Sequence, residues 1–199
     1  MAQDTSGLWH LGWEFFRLSA LGQRQYPFAE ARPVLEQLQH ATGETAVLTV
    51  YDTHRGERMF VDSVASDYSI RFVPELLAWL PMHAGASSHA ILAYRPSGEV
   101  RQVIELGLVP LTARTPHSAT ALERTHSLVR ERGYAISDDE VNLGAVGVAA
   151  PIWVGNEVTT SIGVILPRQR FDPELEAELS EQVIACAGDL SALVAARSS

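Results

Sequence analysis

A few serines, histidines and acids are the residues of this chain whose types and spacing could do chemistry. Ser87 and Ser88 stand between His83 and His89, and Asp138 and Asp139 follow further along. Triad logic would make a serine the nucleophile, a histidine its base and an aspartate the group that orients the base. No nucleophile elbow surrounds either serine, and serines at a helix start commonly serve as caps, so the residues argue against an enzyme. A metal site built from His83, His89, His117 or His126 fails on spacing, because His83 and His89 are six apart and fall on different faces of a helix. Neither a cofactor nor a metal is expected.

The stretch from Leu80 to Ala93 has a different use for the same residues. An apolar run ends at Pro81, which suits a helix entry because it has no N–H to satisfy, and Gly85, Ala86, Ser87 and Ser88 then open a helix with small side chains. Small residues leave room beside the backbone, which makes this a candidate pocket wall. The alternative is plain packing, with Met82, Ile91 and Leu92 in the core.

Charge excludes one class of function. The 199 residues carry 15 Lys and Arg against 24 Asp and Glu, a net charge of −9, and the basic residues are scattered. A nucleic-acid surface concentrates cations to displace counterions from phosphate, so this polypeptide alone is a poor DNA binder. The chain is 46% hydrophobic and 20% charged, which are globular values. No apolar run long enough for a bilayer and no basic leader are read from it, so a cytoplasmic protein without membrane contact is expected. The single cysteine, Cys186, excludes a disulfide framework.

The elements that must position these groups follow from periodicity. Residues 8–21 put Leu8, Leu11, Phe15 and Leu18 on one helical face and Trp9, Trp13 and Phe16 beside it, too much apolar surface for a free helix. Residues 28–40 give a second helix, which Pro33 either kinks or restarts. Thr45–Tyr51 and Arg58–Val64 read as a hairpin across Asp52–Gly56, and Tyr68–Val73 as a third strand. Ser97-Gly98 separates the central helix from one over 99–106. Thr120 and Glu123 have capping-box spacing for a helix closed by Gly133. A short strand over 134–137, strands over 146–153 and 158–166 joined at Gly155-Asn156, and a helix capped by Asp172 complete the chain. The assembly is α+β: an antiparallel sheet of five or six strands with helices on one face and two helices before it.

The chain also resembles the IclR family of bacterial transcriptional regulators, from about Leu8 to the end. The resemblance is carried by Arg32-Pro33-Val34-Leu35, by Thr42-Gly43-Glu44-Thr45 and by the small-residue helix start. Its most specific part is Val129-Arg130-Glu131-Arg132-Gly133-Tyr134-Ala135, then Asp139-Glu140, Gly144 and Val148-Ala149-Ala150-Pro151-Ile152, in the family's order and spacing. It implies a GAF- or profilin-like effector-binding domain over residues 27–199, preceded by a linker helix and dimerisation arm over 1–26. It also implies dimers or tetramers, and contact with operator DNA only through a winged helix-turn-helix outside this chain. A stand-alone ligand-binding or interaction module without a DNA reader is the alternative.

Carried over position by position, the family's pocket falls on Ala86 and Ser87, Ser137, Gly147, Gly163 and Ile165, with Met82 adding apolar contact. Ser137 replaces an acidic position, two polar strand positions are glycines, and His89 replaces a lysine. The resemblance therefore implies a wide, weakly polar pocket suited to an aromatic or branched acid rather than a very small one.

Overall fold

In the computed structural model, which describes residues 2–3, 6–25 and 30–197, the chain divides into residues 1–30 and 31–199. In the first unit Ala2–Gln3 (β1) pairs antiparallel with Trp9–His10 (β2), and Trp13–Gln25 forms a helix (α1). The helix begins at Trp13 rather than Leu8 because residues 9–10 are held in the ribbon. Within this unit Trp13 is 88% exposed, and Phe15, Phe16 and Leu18 are exposed as well. Phe28 and its neighbours lie outside the described residues.

The second unit opens with Ala31–Thr42 (α2), whose Ala31, Val34, Leu35 and Leu38 are buried. Pro33 sits in the first turn, where its missing N–H has no helical partner to lose, so it neither kinks nor restarts the helix. Gly43, at a φ of 71°, ends it. Thr45–Asp52 (β3) and Glu57–Val64 (β4) then pair as the expected hairpin. The third strand expected at Tyr68–Val73 does not form. Its backbone is engaged by side chains instead: Thr45 Oγ1 donates to Phe72 O at 2.8 Å and Arg170 Nη1 to Ile70 O at 2.8 Å. The place beside β4 goes to Leu80–Pro81 (β5).

Three helices follow: Ala86–Leu92 (α3), Ser97–Glu105 (α4) and Ala119–Arg132 (α5). Ser97-Gly98 is the first turn of α4 rather than a separator. The cap of α5 is Ser118, whose hydroxyl accepts from Ala121 N at 3.2 Å, rather than Thr120, which lies inside the helix. Ala135–Asp138 (β6), Ala145–Val154 (β7) and Glu157–Pro167 (β8) then add to the sheet, and Pro173–Arg197 (α6) closes the unit. The six strands run β5-β4-β3-β8-β7-β6, and neighbours are antiparallel throughout.

Strand alternation divides the helices between two faces, where the sequence pattern suggested one. Ser161 on β8 donates from Oγ to Ser87 O on α3, and Ala149, opposite Gly163, packs with Ala86, Ala90 and Ala93. The alternate residues Val148, Ile162 and Val164 are buried on the other face, where α6 and α2 pack. Helix α6 is long and apolar enough by length and composition to cross a membrane, which corrects the reading of the chain as lacking such a run. Leu179, Val183, Cys186, Ala187, Leu190 and Val194 nevertheless form a stripe buried within the domain, as an amphipathic core helix requires.

Candidate functional site

On the α3 side of the sheet a cavity of about 350 Å³ lies at the start of α3. Its walls come from four places: the turn into α3, the ends of β6 to β8, the inward face of β4 and the irregular segment around Phe72–Glu75. Local chemistry shapes each wall. Gly85 enters α3 at a φ of 91°, and a side chain there would meet Val141 Cγ2 at 3.1 Å and Arg58 Nη2 at 3.2 Å. Gly147 faces the cavity across from Ser137 Oγ and Ala86 Cβ, at 3.1 Å and 3.3 Å from where its own Cβ would stand.

Of the residues expected from the sequence, Ala86, Ser87, Ser137, Gly147 and Ile165 come together in this wall. Met82 and Gly163 do not. Met82 is fully buried with Tyr51, Ile91, Leu92, Val103 and Val158, because β5 carries it past the cavity and under α3. Gly163 permits strands to close on one another: an added Cβ would lie 2.3 Å from Val148 O and 2.8 Å from Ala149 Cα.

Sequence reasoning missed Arg58. Its position shares the strand parity of Phe60, so a hairpin that buries Phe60 must also turn Arg58 inward. Arg58 is 3% exposed and lines the cavity. Nε donates to Ser88 Oγ at 2.7 Å, and the guanidinium carbon lies 4.8 Å from the Phe60 ring centroid. Nη1 is buried without a hydrogen-bond partner, and among the described residues no carboxylate forms an ion pair with this side chain. Burial alone holds the guanidinium down to about 10, so it remains charged at neutral pH.

The histidines have structural partners. His89 Nε2 stands 2.8 Å from Glu140 Oε2, which also accepts Gly85 N–H at 2.9 Å, so the acidic loop after β6 is tied to the helix start. His83 Nε2 pairs with Val109 O at 2.9 Å. His126 packs its ring 5.7 Å from that of His89. Burial, reinforced by His89 and Arg130, pulls His126 down to about 3. Among the described residues no group of three or more His, Cys, Asp and Glu side chains is placed to hold a metal ion.

With this geometry in place, comparison with known proteins is specific. A family model described as bacterial transcriptional regulator IclR C-terminal matches residues 23–192. The chain is 32% identical over 189 residues to the HTH-type transcriptional regulator BhcR of Paracoccus denitrificans, covering 92% of this chain and 66% of that protein. It is 28% identical over 188 residues to the transcriptional repressor IclR of Escherichia coli, covering 93% and 69%. The chain thus spans about two thirds of the length of these relatives. In fold it is similar to the Thermotoga maritima IclR, with a TM-score of 0.82, 24% identity and coverage of 97% of this chain and 78% of that one. It is also similar to the C-terminal domain of the Escherichia coli transcriptional regulator KdgR, with a TM-score of 0.75, 24% identity and coverage of 85% and 98%.

Proposed function

Since the chain belongs to the IclR family of bacterial transcriptional regulators, matching its C-terminal domain, we propose that residues 31–199 sense a small organic effector. The observation that carries this reading is the cavity of about 350 Å³ between α3 and the sheet, walled mostly by apolar side chains with a few polar groups. That volume is roughly twice the ~150 Å³ of a cavity that holds benzene, so an effector with a ring or a branched body fits it.

The mechanism is a population shift. The effector contacts α3, the β6–β8 end of the sheet and the irregular segment at once, so it favours whichever arrangement of these elements closes around it. In a dimer or tetramer held by the N-terminal arm, that preference alters how paired winged helix-turn-helix modules meet operator DNA. The protein works in the cytoplasm, where both operator and metabolites are found. The chain itself contributes the sensor, and its net charge of −9 suits that role better than phosphate contact.

A thermal-shift screen of organic acids and neutral metabolites tests this. A ligand of the folded state at 100 times its Kd adds about 2.7 kcal/mol, which is roughly 5–10 °C for a domain of this size. The same compound is expected to change operator affinity in a form of the protein that carries the DNA-binding module. A compound that binds but leaves operator affinity unchanged would favour the stand-alone module instead.

A further inference from the structure

Arg58 stands apart from the other enclosed arginines. Other arginines at or near the surface meet carboxylates: Arg95 meets Glu99, Arg170 meets Glu44, and Arg168 and Arg114 both meet Asp138. Arg58 is the most enclosed of these and has no acid. A buried charge without a counter-ion is unfavourable, and a guanidinium cannot escape by losing its proton near neutral pH. Its Nε is fixed by Ser88 and one face of its plane by Phe60, which leaves the Nη edge over the cavity beside Gly85. Nη2 is the atom beside Gly85, and Nη1 of the same guanidinium is buried with no hydrogen-bond partner. This is the arrangement a planar carboxylate completes, because its two oxygens match two parallel N–H donors.

We infer that Arg58 is the anion receptor of the cavity and that the effector is a monocarboxylate with an apolar, ring-sized or branched body. The inference rests on the reading of this cavity as the effector site and adds the chemical class of the effector. One acid is specified because Arg58 is the only lysine, arginine or histidine among the described residues that line the cavity, and Glu75 at the rim would repel a second. The body is apolar because Phe72, Val73, Leu80, Val141 and Ile165 contribute apolar side chains to the lining. Ser137, across from Gly147, can orient one further polar group. Ser88 is a positioning residue: it does not line the cavity, and it holds Nε so that the Nη edge faces inward.

The test uses the intact chain and paired probes of equal shape, benzoate with benzamide and phenylacetate with phenylacetamide, read by thermal shift and calorimetry at pH 7. The acids are expected to bind and the amides to bind at least tenfold more weakly. In Arg58→Met the preference for acid over amide is expected to vanish. The melting temperature of the ligand-free variant should be unchanged or raised, because an unpaired buried charge has been replaced by an apolar side chain. Should Arg58→Met not fold, Arg58→Lys keeps the charge but loses the fork, and it is expected to weaken acid binding at least tenfold. Amides that bind as tightly as their acids overturn the inference while leaving the effector reading intact. So does an Arg58→Met variant that still prefers the acid. If neither acids nor amides bind and only unrelated neutral compounds do, the receptor role fails while the sensor remains. If no compound of any class binds, the effector reading fails and takes this inference with it.

Discussion

Glu140 Oε2 lies 2.8 Å from His89 Nε2 and accepts Gly85 N–H at 2.9 Å, so one carboxylate oxygen ties the loop after β6 to both the entry and the body of α3. His89 is fully buried and Glu140 nearly so. Removing the carboxylate strands two donors that water cannot reach. Glu140→Ala is therefore expected to destabilise the domain by about 1–3 kcal/mol. Urea unfolding at pH 7 measures this, and a change smaller than ~0.5 kcal/mol would mean that the pairing contributes nothing.

The two glycines on the neighbouring strands β7 and β8 should behave differently. At Gly147 an added methyl meets Ser137 Oγ and Ala86 Cβ inside the cavity, at 3.1 Å and 3.3 Å. Gly147→Ala is expected to fold and to bind the effector more weakly. At Gly163 the methyl meets Val148 O at 2.3 Å, so Gly163→Ala is expected to lose about 1–3 kcal/mol or more of stability before any effect on the ligand. Thermal melts with and without effector distinguish the two outcomes. Equal loss of stability in both variants would refute the assignment. Ser137→Ala should weaken effector binding by only about 0.5–1.5 kcal/mol, the net value of one hydrogen bond.

Acid should weaken the fold through His126. Its folded value of about 3 lies below the ordinary histidine value of about 6.5, so the unfolded chain binds the extra proton between those limits. Stability from this group is complete above ~6.5 and falls as pH drops, by about 1.4 kcal/mol per unit, or roughly 2 kcal/mol at pH 5. The His89 ring packs against it, its Nε2 held by Glu140, and Arg130 lies near enough to disfavour a second positive charge there. His126→Leu is expected to flatten the dependence between pH 7 and pH 5 in urea titrations. An unchanged slope would place the proton uptake elsewhere.

The N-terminal arm should associate. Trp9, Trp13, Phe15 and Phe16 are all at least half exposed within their unit, a larger apolar patch than single chains usually display. Sedimentation at micromolar concentration is expected to give a dimer or larger species, and Trp13→Ser with Phe16→Ser to shift it towards monomer. A wild-type monomer under these conditions would refute the prediction.

Much of the sheet was legible from the sequence because its signals are local. The β3–β4 hairpin follows from period-two alternation around an Asp–Gly turn, the β7–β8 hairpin from Gly155-Asn156, and α6 from the Asp172 cap and its apolar stripe. The strand expected at Tyr68–Val73 was misread because its composition fits a strand while its partners are side chains, and no local pattern records that choice.

The site divides along the same line. Alternation places Gly147 opposite Ile165 and Gly163 opposite Ala149, and it gives all four the same face of the sheet. It cannot say where α3 begins above that face, and this is what opens a space over Gly147 and closes the strands at Gly163. Likewise the sequence determines that Arg58 and Phe60 point to the same side of β4. Whether an inward arginine finds an acid depends on residues brought in from α3 and the loop after β6. Those elements supply Ser88 to hold its Nε, while the Glu140 oxygen goes to Gly85 and His89. Only the tertiary structure leaves that cation buried and unpaired at the edge of a cavity.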